Sequence, residues 1–237
     1  MRQTEKNALL KELKPIFAHL LEKVASINYD KAAFCVQCGS KYPTTEKEGL
    51  LVIGRAVNGW YEASDADELL KSLETPEPLK WVEDDAGSTT KYNPNRSAFW
   101  RVIKGVAKFF YPQEWYAHIA WSNLCKIAPY EGGNPNNTLY YAQLKECQEI
   151  LESEINILTP KAVLMLTGYN WAKDFLTFLN GNIEPKCIFK AAWSRYECKV
   201  YVINGTHYIV TEHPQGKKEA IHKECIIDIL KKQIKQQ

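Results

Sequence analysis

The chain has 237 residues, 45% hydrophobic, 24% charged and 12% aromatic, with a formal net charge of +2, which excludes disorder as a description of the whole and suits a core of ordinary size. No apolar run approaches the ~18 residues of a membrane span, and the N-terminus, MRQTEKNALLKELKP, lacks the apolar stretch of a signal peptide. The seven cysteines are odd in number and do not read as a disulfide framework, so the expected setting is a reducing cytoplasm.

Leu9, Leu13, Ile16, Phe17, Leu20 and Val24 recur at helical spacing and predict an amphipathic helix over about 5–26. Pro15 predicts a kink or a second helix start within it. The stretch FCVQCGSKYP that follows is loop-like, and GLLVIG, residues 49–54, predicts a short buried strand ending on glycine. Residues 55–96 carry Gly59, Pro76, Pro78, Gly87 and Pro94, and a loop region of that length is usually functional or partly helical. A helix is predicted over 97–110 and a second strand over 118–124. The turn cluster IAPYEGGNPNN leads to a helix capped by Asn137 or Thr138 and running to about Leu158, where Pro160 acts as a stop. KAVLMLTG, residues 161–168, predicts a buried strand, and Tyr169–Leu179 a helix. KVYVI and THYIV flank Asn204-Gly205, which predicts a hairpin with a type I′ turn. A final helix is expected over about 217–234.

Strands separated by helices imply parallel pairing with helices on both faces. Three strands then end in GRAVNGW, SNLCKIAP and TEHPQG. In such sheets the C-terminal strand ends gather at one edge, where ligands bind, so these segments should meet at one cleft. GRAVNGW is neither a phosphate loop nor a dinucleotide loop, because Trp60-Tyr61 stand where Lys and Ser or Thr would be needed and GxGxxG is absent. His213 can donate to a developing anion or move a proton. The Asn123 amide can both donate and accept. Each also has a plain structural reading, as a loop tie or a capped strand end.

Taken in order, these loops resemble the uracil-DNA glycosylase superfamily, over a span from about Leu50 to the final helix. LLVIGRAVNGW is similar to its first motif, SNLCKIAPYEGGNPN with the following helix and LTPKAVLMLTG to its central block, and TEHPQG to its His-Pro-Ser motif. The resemblance implies a three-layer α/β/α sandwich with a mainly parallel four-stranded sheet. We take it as a single domain over 1–237, with 1–48 as a helical extension. It also implies hydrolysis of the N-glycosidic bond of uracil or another damaged base flipped out of single- or double-stranded DNA. The alternative is a catalytically impaired nucleic-acid or nucleobase-binding module on the same fold, since fold alone does not establish activity. A monomer is expected.

Carried over by position, His213 matches the motif histidine and Asn123 the central-strand asparagine that reads the base. Gly54, Arg55 and Ala56 fall on the base-binding loop. The first motif departs from the family, because Arg55, Ala56 and Val57 stand where its polar or acidic residue and proline fall. Asn58 is the nearest group able to orient water, with Glu62 and Asp65 the nearest carboxylates. Trp60 is the expected stacking ring, chosen over Tyr61 and Trp81, while Phe99 and Trp100 are expected to pack the core. Gln215 and Gly216 replace the usual Ser-Pro, and Gln215, Lys217 and Lys218 are candidate DNA contacts. No cofactor is expected. An iron–sulfur cluster is the alternative, on Cys35, Cys38, Cys125 and Cys147, of which Cys125 stands two positions before the expected place.

Overall fold

The computed structural model describes residues 1–28, 30–43, 49–62, 65–83 and 93–234. Gly87 and the other residues of 84–92 that the sequence reading assigned to a loop lie outside these. The helices are α1 (Gln3–Val24), α2 (Ala66–Leu70), α3 (Ala98–Phe110), α4 (Asn137–Leu158), α5 (Tyr169–Leu179) and α6 (Glu219–Ile234). The strands are β1 (Lys31–Ala33), β2 (Gln37–Cys38), β3 (Leu50–Gly54), β4 (Tyr61–Glu62), β5 (Ile119–Asn123), β6 (Ile127–Pro129), β7 (Ala162–Leu166), β8 (Phe189–Trp193), β9 (Tyr196–Ile203) and β10 (Thr206–Thr211). Among the described residues no helix is long and apolar enough to cross a membrane.

The main sheet has seven strands in the order β2-β5-β3-β7-β10-β9-β8. Its centre, β5-β3-β7-β10, is parallel, and the outer strands β2, β9 and β8 run antiparallel to their neighbours. The four-stranded parallel core therefore stands as expected, widened by three antiparallel strands. A separate antiparallel sheet has the order β4-β1-β6.

Side-chain alternation along each central strand divides the interior into two cores. Leu51 and Ile53 of β3, Val163 and Met165 of β7, and Val210 of β10 face one side, packed with Leu13 and Phe17 of α1, Leu151 of α4 and Phe175 of α5. Leu50 and Val52, Leu164 and Ile209 face the other, with Val102 of α3 and Ile226 of α6. The layers are thus α1, α4 and α5, then the sheet, then α3 and α6. Because both faces are covered, β3, β5 and β7 are buried at every position.

Helix starts follow local capping. Ser97 Oγ accepts from the Trp100 N–H at 3.5 Å ahead of α3, and Asn136 Oδ1 accepts from the Leu139 N–H at 3.0 Å ahead of α4. The cap of α4 is therefore Asn136, one residue before the pair expected. Pro15 lies inside α1, which runs as one helix through it. Asn204 and Gly205 have φ of 50° and 80°, the two positive angles of a type I′ turn, and they join β9 to β10 as predicted.

Candidate active site

The strand registers place the loops. Gly54 of β3 pairs with Asn123 of β5, and Leu166 of β7 with Thr211 of β10. All four parallel strands therefore end at one edge of the sheet. Gly54 and Asn123 lie on the α3/α6 face, since they continue the parity of Val52 and Trp121. A cleft of about 1630 Å³ opens there. Its walls take in Gly54 to Trp60 from the first loop, Asn123 from β5, and His213, Gln215 and Lys217 from the turn before α6. Of the nucleic-acid contacts expected, Lys218 is exposed and outside the lining residues.

Asn123 is buried, at 1% exposure, and its Nδ2 has no hydrogen-bond partner. Its Oδ1 lies against Gly54, where a Cβ would come within 2.3 Å of it. Glycine is thus required there by the amide's close approach. An unpaired buried amide donor costs on the order of 1–3 kcal/mol, which makes it a group prepared for a ligand acceptor.

His213 Nδ1 accepts from the Gln215 N–H at 3.3 Å, so in the neutral ring the proton is on Nε2. Burial, reinforced by Arg55 and Lys217, lowers its pKa to about 4, and the ring is neutral at pH 7. Lys217 Nζ donates to the His213 carbonyl at 2.8 Å, which fixes the backbone carrying the imidazole. The Phe99 ring lies parallel to His213, with centroids 6.1 Å apart and planes 10° apart, and beside Gly54.

Phe99 packs the core on the α3/α6 side, as expected. It is 9% exposed and lines the cleft among Gly54, Asn123 and His213. Its helix position hid this, because α3 enters the cleft by its N-terminus, a feature of tertiary packing. Trp60 also lines the cleft, but it sits in a ring cluster, edge-on to Phe34 and Trp121 at centroid distances of 5.6 and 5.4 Å.

Asn58 is exposed at the rim, and its Oδ1 accepts from the Gly133 N–H at 3.3 Å. It therefore ties the first loop to the loop before α4. Arg55 Nε donates to the Thr167 carbonyl at 2.7 Å, pinning the first loop to the end of β7. The two nearby carboxylates are used elsewhere. Asp65 caps α2 by accepting from the Asp67 N–H at 2.7 Å, and Glu62 lies in β4, outside the cleft lining. Among the described lining residues the one carboxylate is Glu219, held by the Arg101 guanidinium.

A family model for the uracil DNA glycosylase superfamily matches residues 88–232, more than half of the chain. The chain belongs to the uracil DNA glycosylase superfamily. A comparison with curated proteins found no match. The matched stretch includes Phe99, Asn123 and His213 and begins after the divergent Gly54–Trp60 loop.

In this superfamily member the four cysteines proposed for a cluster do not fit one. Among the described residues no three His, Cys, Asp or Glu side chains gather in a metal-holding group. Cys147 Sγ accepts from the Lys126 N–H at 3.3 Å and lies 3.2 Å from Gln143 Oε1. Burial raises all four thiols, Cys38 and Cys147 to about 12. The misfit rests on this placement of the side chains, since metal binding would itself deprotonate the thiols, and no chemistry is routed through a cluster here.

Proposed function

We propose that the protein is a base-excising N-glycosylase acting on DNA, and that the cleft holds one nucleotide flipped from the stack. The observation that carries this reading is the unpartnered Nδ2 of buried Asn123 beside a neutral imidazole whose free Nε2–H is set by the Gln215 contact. Both groups donate, and they suit a base with carbonyl oxygens, such as uracil.

The flipped base enters over Phe99, whose face supplies stacking worth ~1–3 kcal/mol. Asn123 Nδ2 donates to one base carbonyl. As the C1′–N bond breaks, its electron pair passes to the base, and His213 Nε2–H donates to the carbonyl on which that charge collects. Water adds to C1′ and loses its proton to solvent. The Asn58 Oδ1 has a second lone pair beyond the one facing Gly133, which can orient that water without acting as a strong base. Lys217, Gln215 and, more remotely, Lys218 are the DNA contacts of this reading. It takes the protein as a monomer needing no cofactor.

The second reading, a nucleobase- or DNA-binding module, is favoured by one observation: Ala56 and a paired Glu219 leave the described lining without a free carboxylate. Incubation with a uracil-containing duplex, then alkaline cleavage of abasic sites, separates the two. The glycosylase reading expects strand cleavage by the wild type and its loss in His213→Ala. Retarded migration of the duplex with no cleavage would establish the binding module instead.

A further inference from the structure

Asn123 has no side-chain partner to set its amide, yet the turn that carries it is fixed by buried polar groups on the far side of the sheet. Ser122 precedes it and points the other way, toward α4. Ser122 Oγ donates to Glu154 Oε2 at 2.7 Å. Lys126 Nζ donates to Ser122 Oγ at 2.6 Å and to Glu154 Oε1 and Oε2 at 2.8 and 2.9 Å. Ser122, Lys126 and Glu154 are each at 0% exposure. The three ammonium protons thus have three acceptors. The ion pair closes residues 122–126 onto themselves and onto one point of α4.

The backbone of the same turn is tied on two sides. The Leu124 and Cys125 N–H groups donate at 2.9 Å to the carbonyls of Gly54 and Arg55. Gln143 of α4 both donates to and accepts from Ile127, at 2.9 Å each way. A wholly buried ion pair is poorly explained by stability, because apolar groups of similar volume commonly hold a fold as well or better. What the pair supplies is a single geometry for the residues it spans, and the one of these that faces the cleft with an unpartnered donor is Asn123.

We propose that Lys126 and Glu154, joined through Ser122, are positioning residues that set the orientation of the Asn123 amide in the cleft. The proposal rests on Asn123 being the base-contacting group of the function proposed above.

The test is the apolar variant Ser122→Ala/Lys126→Met/Glu154→Leu, with Ser122→Ala alone as the milder change that leaves the ion pair whole. Folding is checked by thermal unfolding. The Asn123 side-chain NH₂ signals are followed by ¹⁵N NMR, assigned by their loss in Asn123→Ala. The latch predicts that these signals move or split in both variants. It also predicts single-turnover uracil excision on the order of tenfold to a hundredfold slower in the apolar variant, with duplex binding unchanged and no further loss when Asn123 is already alanine. Folded variants with unmoved Asn123 signals overturn the proposal, as does a loss of the same size in the Asn123→Ala background. If the wild type excises nothing, the glycosylase reading fails and the amide signals still decide the latch.

Discussion

The chemistry of the cleft depends on protonation states set by burial, and two histidines show it. His213 and His222 are both lowered to about 4 by burial first and by nearby cations second. His222 is at 0% exposure, with its ring stacked on Trp193 at 3.8 Å and its Nε2 3.0 Å from Thr211 Oγ1. The unfolded chain binds a proton on this ring below about 6.5, whereas the native ring resists protonation until about 4. Between those values the unfolded state holds more protons, so stability is present above pH 6.5 and is lost as pH falls toward 4. For His222 the change is on the order of 3 kcal/mol. Urea midpoints are expected to fall between pH 7 and 4.5, and by a smaller amount in His222→Gln, where the His213 contribution remains; equal falls in the two proteins would contradict this. The His213 imidazole, by the same shift, is expected to give an excision rate without a step at pH 6.5. At this scale His213, after a strand, and Asn123, at the end of one, were singled out in the sequence, and the resemblance to the superfamily supplied their expected roles. The place of Phe99 in the cleft was not legible, because it is set by how α3 packs on the sheet.

At the scale of elements, the long strands and helices were legible because each carries a period or an unbroken apolar run. The misread segments are short. FCVQCGSKYP, taken as a loop, contributes β2 to the main sheet, and β1 precedes it. Two- and three-residue strands are too short to show alternation, and their pairing partners lie far along the chain. The strand β8 lies at the sheet edge with an alternating burial pattern, but its sequence, FKAAW, carries no strict apolar–polar alternation to mark it. The region 55–96 contains β4, α2 and three short 3₁₀ turns, with Asp65 and Asn93 as caps. The α1 helix packs on the face opposite the cleft. Phe17→Ala, at a position of 0% exposure, is expected to lower unfolding stability by ~3–5 kcal/mol and to leave the excision rate of the folded protein unchanged. Urea unfolding and a single-turnover assay check this pair of outcomes, and a changed rate in folded protein would mean that α1 is coupled to the cleft.

At the scale of the molecule, parallel connection order alone brings the first loop, the β5 turn and the His213 turn to one edge. That convergence was readable from chain order and from the rule on strand ends. The ties that make it one cleft were not, because they join distant residues. Arg55 reaches Thr167, Asn58 reaches Gly133, and Gly54 admits the Asn123 amide.

The most direct measurement is the single-turnover rate of uracil release from a duplex by the wild type, His213→Ala and Asn123→Ala, with folding and duplex binding checked in parallel. Excision by the wild type, and losses on the order of a hundredfold or more in each variant with binding retained, is the predicted result. An active wild type whose rate is unchanged in either folded variant would place the chemistry outside this cleft and contradict the account.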